Sequence, residues 1–442
     1  MAKVAIQPRV LKGFRDQLPQ VCLARTAMLA RITEVFASFG FVPIDTPALE
    51  YAEILLGKGS EETDKQLYRF RDNGDRDVAL RFDLTVPLAR FAAMHIHELG
   101  TPFRRYHIAP VWRAEKPQRG RFREFIQCDF DIIGPKSPLA DAEILLVIHR
   151  CFKALGLSHR IRFNNRILLN ALLTQLGIET KIVAVLRAID KLEKIGVDAV
   201  REELETQADI QSRSADQIFA FLELSKAAAS NRAVVEGLKD ALADSDSGKE
   251  GIARVEQVLA VTSASGLTDA ELQLDLSIAR GLDYYTGCVF ETALTELPEI
   301  GSVCSGGRYD NLAQLYTKQE LPGVGASIGL DRVLAALEEL ERIPQRSSSA
   351  TVLVALMDET SASGTAALAT TLREKGLAVE LYPQTAKLAQ QLKYADRKGI
   401  EYVVLATAEQ LARQVASVKE MRSGEQRDEI PIDALPTQLS SN

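Results

Sequence analysis

Two short stretches of this sequence concentrate side chains that bind anions and polar ligands. The first is RRYHIAPVWRAEKPQRGRFREF, residues 104–125. Between residues 101 and 130 seven Arg/Lys face three Asp/Glu, in a chain of formal net charge −7. A guanidinium presents planar, forked donors that match phosphate oxygens. Arg113, Arg119, Arg121 and Arg123 could therefore hold a triphosphate or a nucleic-acid backbone, with a solvated charged hairpin as the plainer alternative. The second stretch is SIARGLDYYTGCVF, residues 277–290, where Arg280 precedes two adjacent phenols, Tyr284 and Tyr285. In an extended strand, neighbouring side chains point to opposite faces, so at most one of the two can follow the core pattern. Three other stretches only imitate binding motifs. GVGASIG (323–329) lacks the spacing of a dinucleotide fingerprint, and LLGKGSEE (55–62) lacks the phosphate-loop frame. MHIHE (94–98) sets its histidines two apart, which is not one helical face.

The elements that must carry these residues follow from periodicity. Leu23–Phe39 repeats apolar residues at three and four, an amphipathic helix ending at Gly40. FVPIDTPALE then reads as extended, and residues 78–83, 106–113 and 125–134 as strands. A helix is expected over LTVPLARFAAMHI and another over Leu139–Leu155. Strand texture without intervening helices predicts an α+β domain over residues 1–343, an antiparallel sheet backed by helices. Within it, residues 168–262 are rich in Leu, Ala, Glu and Lys and read as a helical insertion. Strands return at 272–293 and 300–304, and GVGASIG runs into a long helix. IPQRSSSA (343–350) reads as a linker. Strand and helix then alternate over 350–442, predicting a small α/β domain with a largely parallel sheet.

Composition sets outer bounds. The 442 residues are 46% hydrophobic and 26% charged, as in a globular protein of two to four domains. The net charge does not suggest a generally nucleic-acid-binding surface. Five scattered cysteines without a C-x-x-C pair argue against a disulfide framework and a thiolate zinc site. A reducing cytoplasm is the simplest compartment. No apolar run of spanning length is present, so no membrane segment is expected.

WRAEKPQRGRFREFIQCDFDIIG (112–134) resembles motif 2 of the class II aminoacyl-tRNA synthetases. FGFVPIDTPALE resembles motif 1, with Pro47 as its proline, and GASIGLDRVLAAL resembles motif 3, with Arg332 as its arginine. ALRFDLTVPLAR is similar to an amino-acid-binding segment of that class. ARGLDYYTGCVFE and SGGRYDNL resemble two signatures of its histidine-specific family, as does the opening LKGFRDQLP. The match runs in order along nearly the whole chain.

This resemblance implies activation of L-histidine with ATP to histidyl-adenylate and pyrophosphate, followed by transfer to the 3'-terminal adenosine of tRNA(His). It implies catalytic roles for Arg280 and Arg113 at the α-phosphate and the histidine carboxylate. Glu115 would meet the adenine amino group, Arg121 the γ-phosphate, and Phe125 and Arg332 the two faces of the ring. Asp83, Thr85 and Gln127 would hold the substrate amino group, and Asp131, Tyr285 and Tyr309 its imidazole, with Tyr284 in support. ATP would bring Mg²⁺ with it; no protein metal cage and no prosthetic group are expected.

The same resemblance implies a homodimer through motif 1, an insertion closing on the tRNA acceptor arm, and an anticodon-binding tail. Ten Lys/Arg against twelve Asp/Glu leave that tail acidic overall, so RNA contact would need a patch, with Lys387, Lys393, Arg397 and Lys398 as candidates. Departures from the family pattern are Asn311 in place of glycine, Cys304-Ser305 before the glycine pair, and Asp83 and Asp131 where some relatives carry glutamate. The rival reading is a regulatory subunit of ATP phosphoribosyltransferase, which resembles the same core without aminoacylating. A sensor of uncharged tRNA with a similar core is a third reading. Retention of Arg113, Glu115, Arg121, Arg280 and Arg332 together, with the tail, weighs against both.

Overall fold

The computed structural model describes residues 6–56, 64–117, 120–279 and 284–439. Two units emerge: residues 1–15 with 28–339, and residues 16–27 with 340–442. In the first unit, β1 (Val42–Pro43) is followed by β2 (Leu49–Tyr51), β3 (Arg69–Arg71) and β4 (Asp77–Leu80). The last three form a small antiparallel sheet in the order β2-β4-β3. The main sheet adds β5 (Phe103–Trp112), β6 (Glu124–Ile133), β7 (His159–Asn165), β8 (Leu272–Leu274), β9 (Cys288–Leu294), β10 (Ser302–Tyr309) and β11 (Gly323–Gly329). Its order is β1-β5-β6-β11-β10-β9-β7-β8.

The interior pairings are antiparallel, as expected, but both edges are parallel: β1 on β5 and β8 on β7. A parallel pair needs a long crossover. The helices from Arg166–Gln175 to Asp246–Ala264 supply it between β7 and β8, so the helical insertion is itself the connection.

Strands β5 and β6 set the two sides of the sheet. Even-numbered residues face helices: the Phe130 ring lies 4.9 Å from Phe36, on helix Pro19–Ser38, and Tyr106 lies 5.2 Å from the same ring. Arg104 reaches Glu143 on helix Pro138–Ala154 at 2.7 Å. Odd-numbered residues of β6, Gln127, Asp129 and Asp131, point the other way and are also buried. Polar alternation here marks a buried site and not a wet face.

Strand β11 is the GVGASIG stretch, whose glycines hide its strand character. Space explains them. A Cβ on Gly325 would stand 1.8 Å from Asp131 Oδ1, and one on Gly323 2.4 Å from the Tyr309 ring. On β10, a Cβ on Gly306 would meet the Gly325 carbonyl at 2.1 Å, and one on Gly307 the Tyr285 ring at 2.8 Å. The helix after β11, Leu330–Glu339, is shorter than its sequence pattern suggests.

Beyond residue 343 the strands are β12 (Val352–Val354), β13 (Val379–Leu381), β14 (Tyr402–Leu405), β15 (Val415–Glu420) and β16 (Gln426–Pro431), ordered β13-β12-β14-β15-β16. β13, β12 and β14 are parallel, with the alternating helices expected. β15 and β16 are antiparallel, which corrects the largely parallel expectation. The five residues joining them close a hairpin, and a hairpin can only pair antiparallel. Val354, Leu368, Leu372, Val404, Val418 and Leu435 form one of this unit's cores.

Candidate active site

A cavity of about 420 Å³ opens on the odd-numbered side of β6. Strand β4 ends at Leu80, and the chain then delivers Phe82, Asp83 and Thr85 to the cavity wall. Asp83 Oδ1 accepts from the backbone N–H of Thr85 at 3.1 Å and of Val86 at 2.9 Å, fixing the start of helix Thr85–Leu99. An acidic acceptor at a helix N-terminus is favoured by the dipole. Burial nonetheless holds its carboxyl above the usual range, and Arg113 pulls it back.

Arg113 follows directly on β5. Its Nε donates to the Phe82 carbonyl at 3.1 Å, and its guanidinium lies over the Phe82 ring at 4.3 Å and the Phe125 ring at 5.1 Å. Burial lowers its pKa from the ordinary value, while Asp83 and Glu115 favour the cation. Glu115, Arg121, Phe125 and Arg332 line the same cavity, and Arg332 Nη1 also donates to the Ser302 carbonyl. Neighbouring Asp331 anchors that corner by accepting from Ile126 N at 2.9 Å and from Arg15 at 2.7 Å. Arg123 is not a cavity residue: it donates to the carbonyls of Glu115 and Lys12, tying the N-terminal segment to the hairpin. Arg119 and Arg280 lie outside the described residues.

Gln127 sits on the cavity floor, with Nε2 donating to Ser327 Oγ at 2.8 Å. Tyr284 and Tyr285 both line the cavity, their rings 4.9 Å apart edge to face. This corrects the opposite-faces expectation: β9 begins only at Cys288, so the two tyrosines stand in a turn, where alternation does not apply. The turn is held from behind. Arg166 Nη1 donates to the Tyr285 carbonyl at 2.7 Å, and Thr286 Oγ1 donates to Asp310 at 2.7 Å.

Asp131 and Tyr309 are together but lie deeper than the cavity surface. The Tyr309 hydroxyl donates to Asp131 Oδ1, and Arg105 pairs with Oδ2 at 2.6 Å. The Tyr284 ring is 6.0 Å from Tyr309. Burial raises the Asp131 carboxyl, opposed by Arg105 and the tyrosine hydrogen bond.

Sequence reasoning missed part of the wall. Asp190 and Lys194 reach the cavity from the insertion, and Glu291, Ser302 and Val303 from β9 and β10. Arg162 joins these parts, with ion pairs to Glu193 at 2.5 Å and Glu291 at 3.1 Å. Glu291 could be found from the strand alternation; nothing in the insertion's helical texture marks Asp190 or Lys194. A second cavity, of about 500 Å³, lies between helices Asn231–Ala241 and Asp246–Ala264, where Lys239 is bridged to Glu236 and Glu256.

An arginine-lined half with an aromatic platform, joined to a half of carboxylate, amide and phenols, suits a nucleotide beside an amino acid. A family model for histidyl-tRNA synthetase matches residues 13–333, and one for an anticodon-binding domain matches residues 351–442. The chain belongs to the histidyl-tRNA synthetase family. It is 51% identical to a histidine--tRNA ligase of Rhodopirellula baltica over 424 residues, 96% of this chain and 95% of that one. Identity to the corresponding ligase of Wolinella succinogenes is 48% over 435 residues, 97% of each chain. Among solved structures, a histidyl-tRNA synthetase from Nostoc sp. PCC 7120 superposes with a TM-score of 0.89 at 34% identity, covering 98% of this chain and 99% of that one. A Bacillus halodurans protein described as an ATP phosphoribosyltransferase regulatory subunit/histidyl-tRNA synthetase shares the fold at 24% identity and a TM-score of 0.74, covering 88% and 97%.

Proposed function

We propose that this chain is a histidine--tRNA ligase that uses ATP, L-histidine and tRNA(His). The observation that carries the reading is the single cavity shared by Arg113, Glu115, Arg121, Phe125 and Arg332 on one side and Asp83, Thr85, Gln127, Tyr284 and Tyr285 on the other.

ATP enters as its Mg²⁺ complex. Phe125 and Arg332 hold the adenine ring, Glu115 reads its amino group, and Arg121 takes the γ-phosphate. The histidine amino group donates to Asp83, Thr85 and Gln127. A carboxylate oxygen of histidine attacks the α-phosphorus; the new P–O bond forms as the bond to the β-phosphate bridge breaks, and pyrophosphate leaves. Both reactants are anionic, so fixed positive charge at the α-phosphate dominates the barrier. Arg113 supplies it from a buried position, where its field is screened least. Arg280 is assigned the same role, beside the α-phosphate and the histidine carboxylate. In the second step a hydroxyl of the terminal ribose attacks the histidyl carbonyl and AMP leaves.

Imidazole selection belongs to Tyr285, Asp131 and Tyr309. The last two are already hydrogen-bonded to each other, so binding of the side chain requires Tyr284 and Tyr285 to admit it. Residues 1–343 carry the chemistry, 168–262 face the acceptor arm, and 350–442 bind the anticodon. All five thiols are free, which suits a reducing cytoplasm. Among the described residues, no helix is long and apolar enough to cross a membrane.

Dimerisation is supported by exposed apolar residues beside motif 1. Tyr51 and Phe70 flank Val78 in one cross-strand row, with Leu49 two residues along β2 and Val42 on β1. Sedimentation equilibrium should give twice the chain mass, and a monomer mass at every concentration would remove the assignment.

Pyrophosphate exchange into ATP with each of the twenty amino acids tests the central reading. Exchange with histidine alone is expected, and Arg280→Ala should abolish it without loss of fold. Folded protein that binds histidine but exchanges nothing would favour the regulatory-subunit reading.

A further inference from the structure

Beneath the cavity, the odd-numbered face of the sheet carries a row of charges that the residues above do not explain. Arg105 and His107 on β5 stand opposite Asp131 and Asp129 on β6, and Gly325 and Ser327 continue the row on β11. None of the four charged or titratable residues is more than 2% exposed. Arg105 pairs with Asp131 at 2.6 Å but offers Asp129 only a 3.5 Å approach to its backbone carbonyl. His107 turns away, to Asp45 at 3.0 Å. The Ser327 hydroxyl meets the Asp129 carboxyl, yet Oδ1 has no hydrogen-bond partner among the described residues.

Two buried carboxylates thus share one guanidinium, and Asp83 is within electrostatic reach as a third. The other groups facing Asp129 are Arg81, held by the carbonyls of Thr46 and Pro110, Arg113 and Tyr285 on the cavity wall, and the buried thiols of Cys128 and Cys304. A buried carboxylate without compensation takes up a proton. Burial raises Asp129 to about 7; Arg105 lowers it, and Asp131 and Asp83 raise it further.

We propose that Asp129 is a positioning residue for amino-acid binding, protonated in the empty site and ionised when the α-ammonium of histidine arrives. The O–H bond breaks, the proton passes to solvent, and the carboxylate left behind balances the incoming cation. The proposal rests on the reading that the cavity takes histidine. Gln127 lies one pleat period along the same face, about 7 Å away, and lines the cavity. An ammonium held at Gln127 would act on Asp129 through a buried interior, where its field is screened least, and an opposite charge lowers a carboxyl pKa, so a group that titrates near neutrality is tipped towards its ionised form.

The test is calorimetric titration of full-length protein with histidine at pH 6.5, in buffers of different ionisation enthalpy, for wild type and Asp129→Asn. The ligand's own imidazole contributes equally to both. Wild type should release up to about 0.8 of a proton more than the variant, the protonated fraction of a group of pKa about 7 at this pH. Below neutrality the wild-type Kd should rise relative to the variant's by up to about tenfold per pH unit. Equal proton counts overturn the proposal alone. Absence of histidine heat overturns the amino-acid reading and the proposal with it. Carbon-13 NMR of aspartate-labelled wild type is independent of the variant's folding: Asp141, raised to about 6, should titrate with or without histidine, a further carboxyl should titrate near neutrality and shift to its ionised position on adding histidine at pH 6.5, and the lack of any histidine-responsive resonance would refute the assignment.

Discussion

The charged row under the cavity makes stability as well as binding depend on pH. Asp129 holds its proton more tightly in the folded than in the unfolded chain, being raised from 3.8 to about 7. Its contribution is therefore present below the unfolded value and lost as pH rises through about 7. Asparagine cannot ionise. Thermal unfolding should show Asp129→Asn gaining stability relative to wild type between pH 5 and pH 8, and a difference flat across that range would be inconsistent with the raised carboxyl. His107 works the other way: lowered to about 4 by burial and by Arg105 and Arg81, it is neutral when folded, and stability falls as acid is added below its ordinary value of 6.5. At the same scale, Gly325→Ala would drive a methyl into Asp131 and the Phe130 carbonyl. It should cost at least the ~1–3 kcal/mol of an overpacked core and remove histidine-dependent exchange, read by calorimetry and by the exchange assay. Residues such as Arg113, Glu115 and Arg332 were legible because they stand in spaced motifs. Asp129 was not, because an acidic residue at an alternating position reads as solvent-facing until the packing on both sides is known.

Elements are positioned by buried polar contacts as much as by apolar ones. Arg308 at the end of β10 donates to Asp141 on helix Pro138–Ala154 at 2.8 Å and to the carbonyls of Pro135 and Ser137, joining strand and helix start. Both side chains are 2% exposed. Asp141→Ala leaves the guanidinium unpaired in the interior and should destabilise by about 3–5 kcal/mol, whereas Asp141→Leu with Arg308→Met should cost markedly less. Denaturant unfolding of the two variants decides this; equal losses would mean that the pair is not what joins the elements. The helices were read well from their periodicity, and so were β5 and β6. β11 was harder, because glycines chosen for clearance erase strand propensity. β15 and β16 were missed: QRDEIP is almost wholly exposed and lacks an apolar face, and VASVKE offers too short an apolar run to stand out beside it. The parallel edges of the main sheet could not be read locally at all: they follow from crossovers of about sixty residues between β1 and β5 and about a hundred between β7 and β8.

At the scale of the whole molecule, binding of a long polyanion by an acidic chain must depend on local patches. Helix Leu388–Lys398 presents Lys393 and Arg397 exposed on one face, with Arg397 and Lys398 near the Tyr394 ring at 5.9 and 5.7 Å. Lys393→Glu with Arg397→Glu should weaken tRNA binding and flatten its dependence on salt by about two phosphate contacts, while histidine-dependent pyrophosphate exchange stays at the wild-type rate. Filter binding across a salt series measures both quantities. An unchanged slope would move RNA recognition elsewhere on the domain.

The four glycines packed at and beneath the site also constrain how the sequence can drift. Gly306, Gly307, Gly323 and Gly325 make room by having no side chain, and a Cβ at each collides with a neighbour within 3 Å. Every substitution there adds atoms, so the volume can be filled but not reshaped. Random substitution at these four positions should therefore return almost only glycine among variants that still fold. Over generations these positions would stay almost invariant by clearance alone, whereas Arg121, the exposed arginine of the hairpin, could be exchanged at little structural cost and can be held constant only by what it binds.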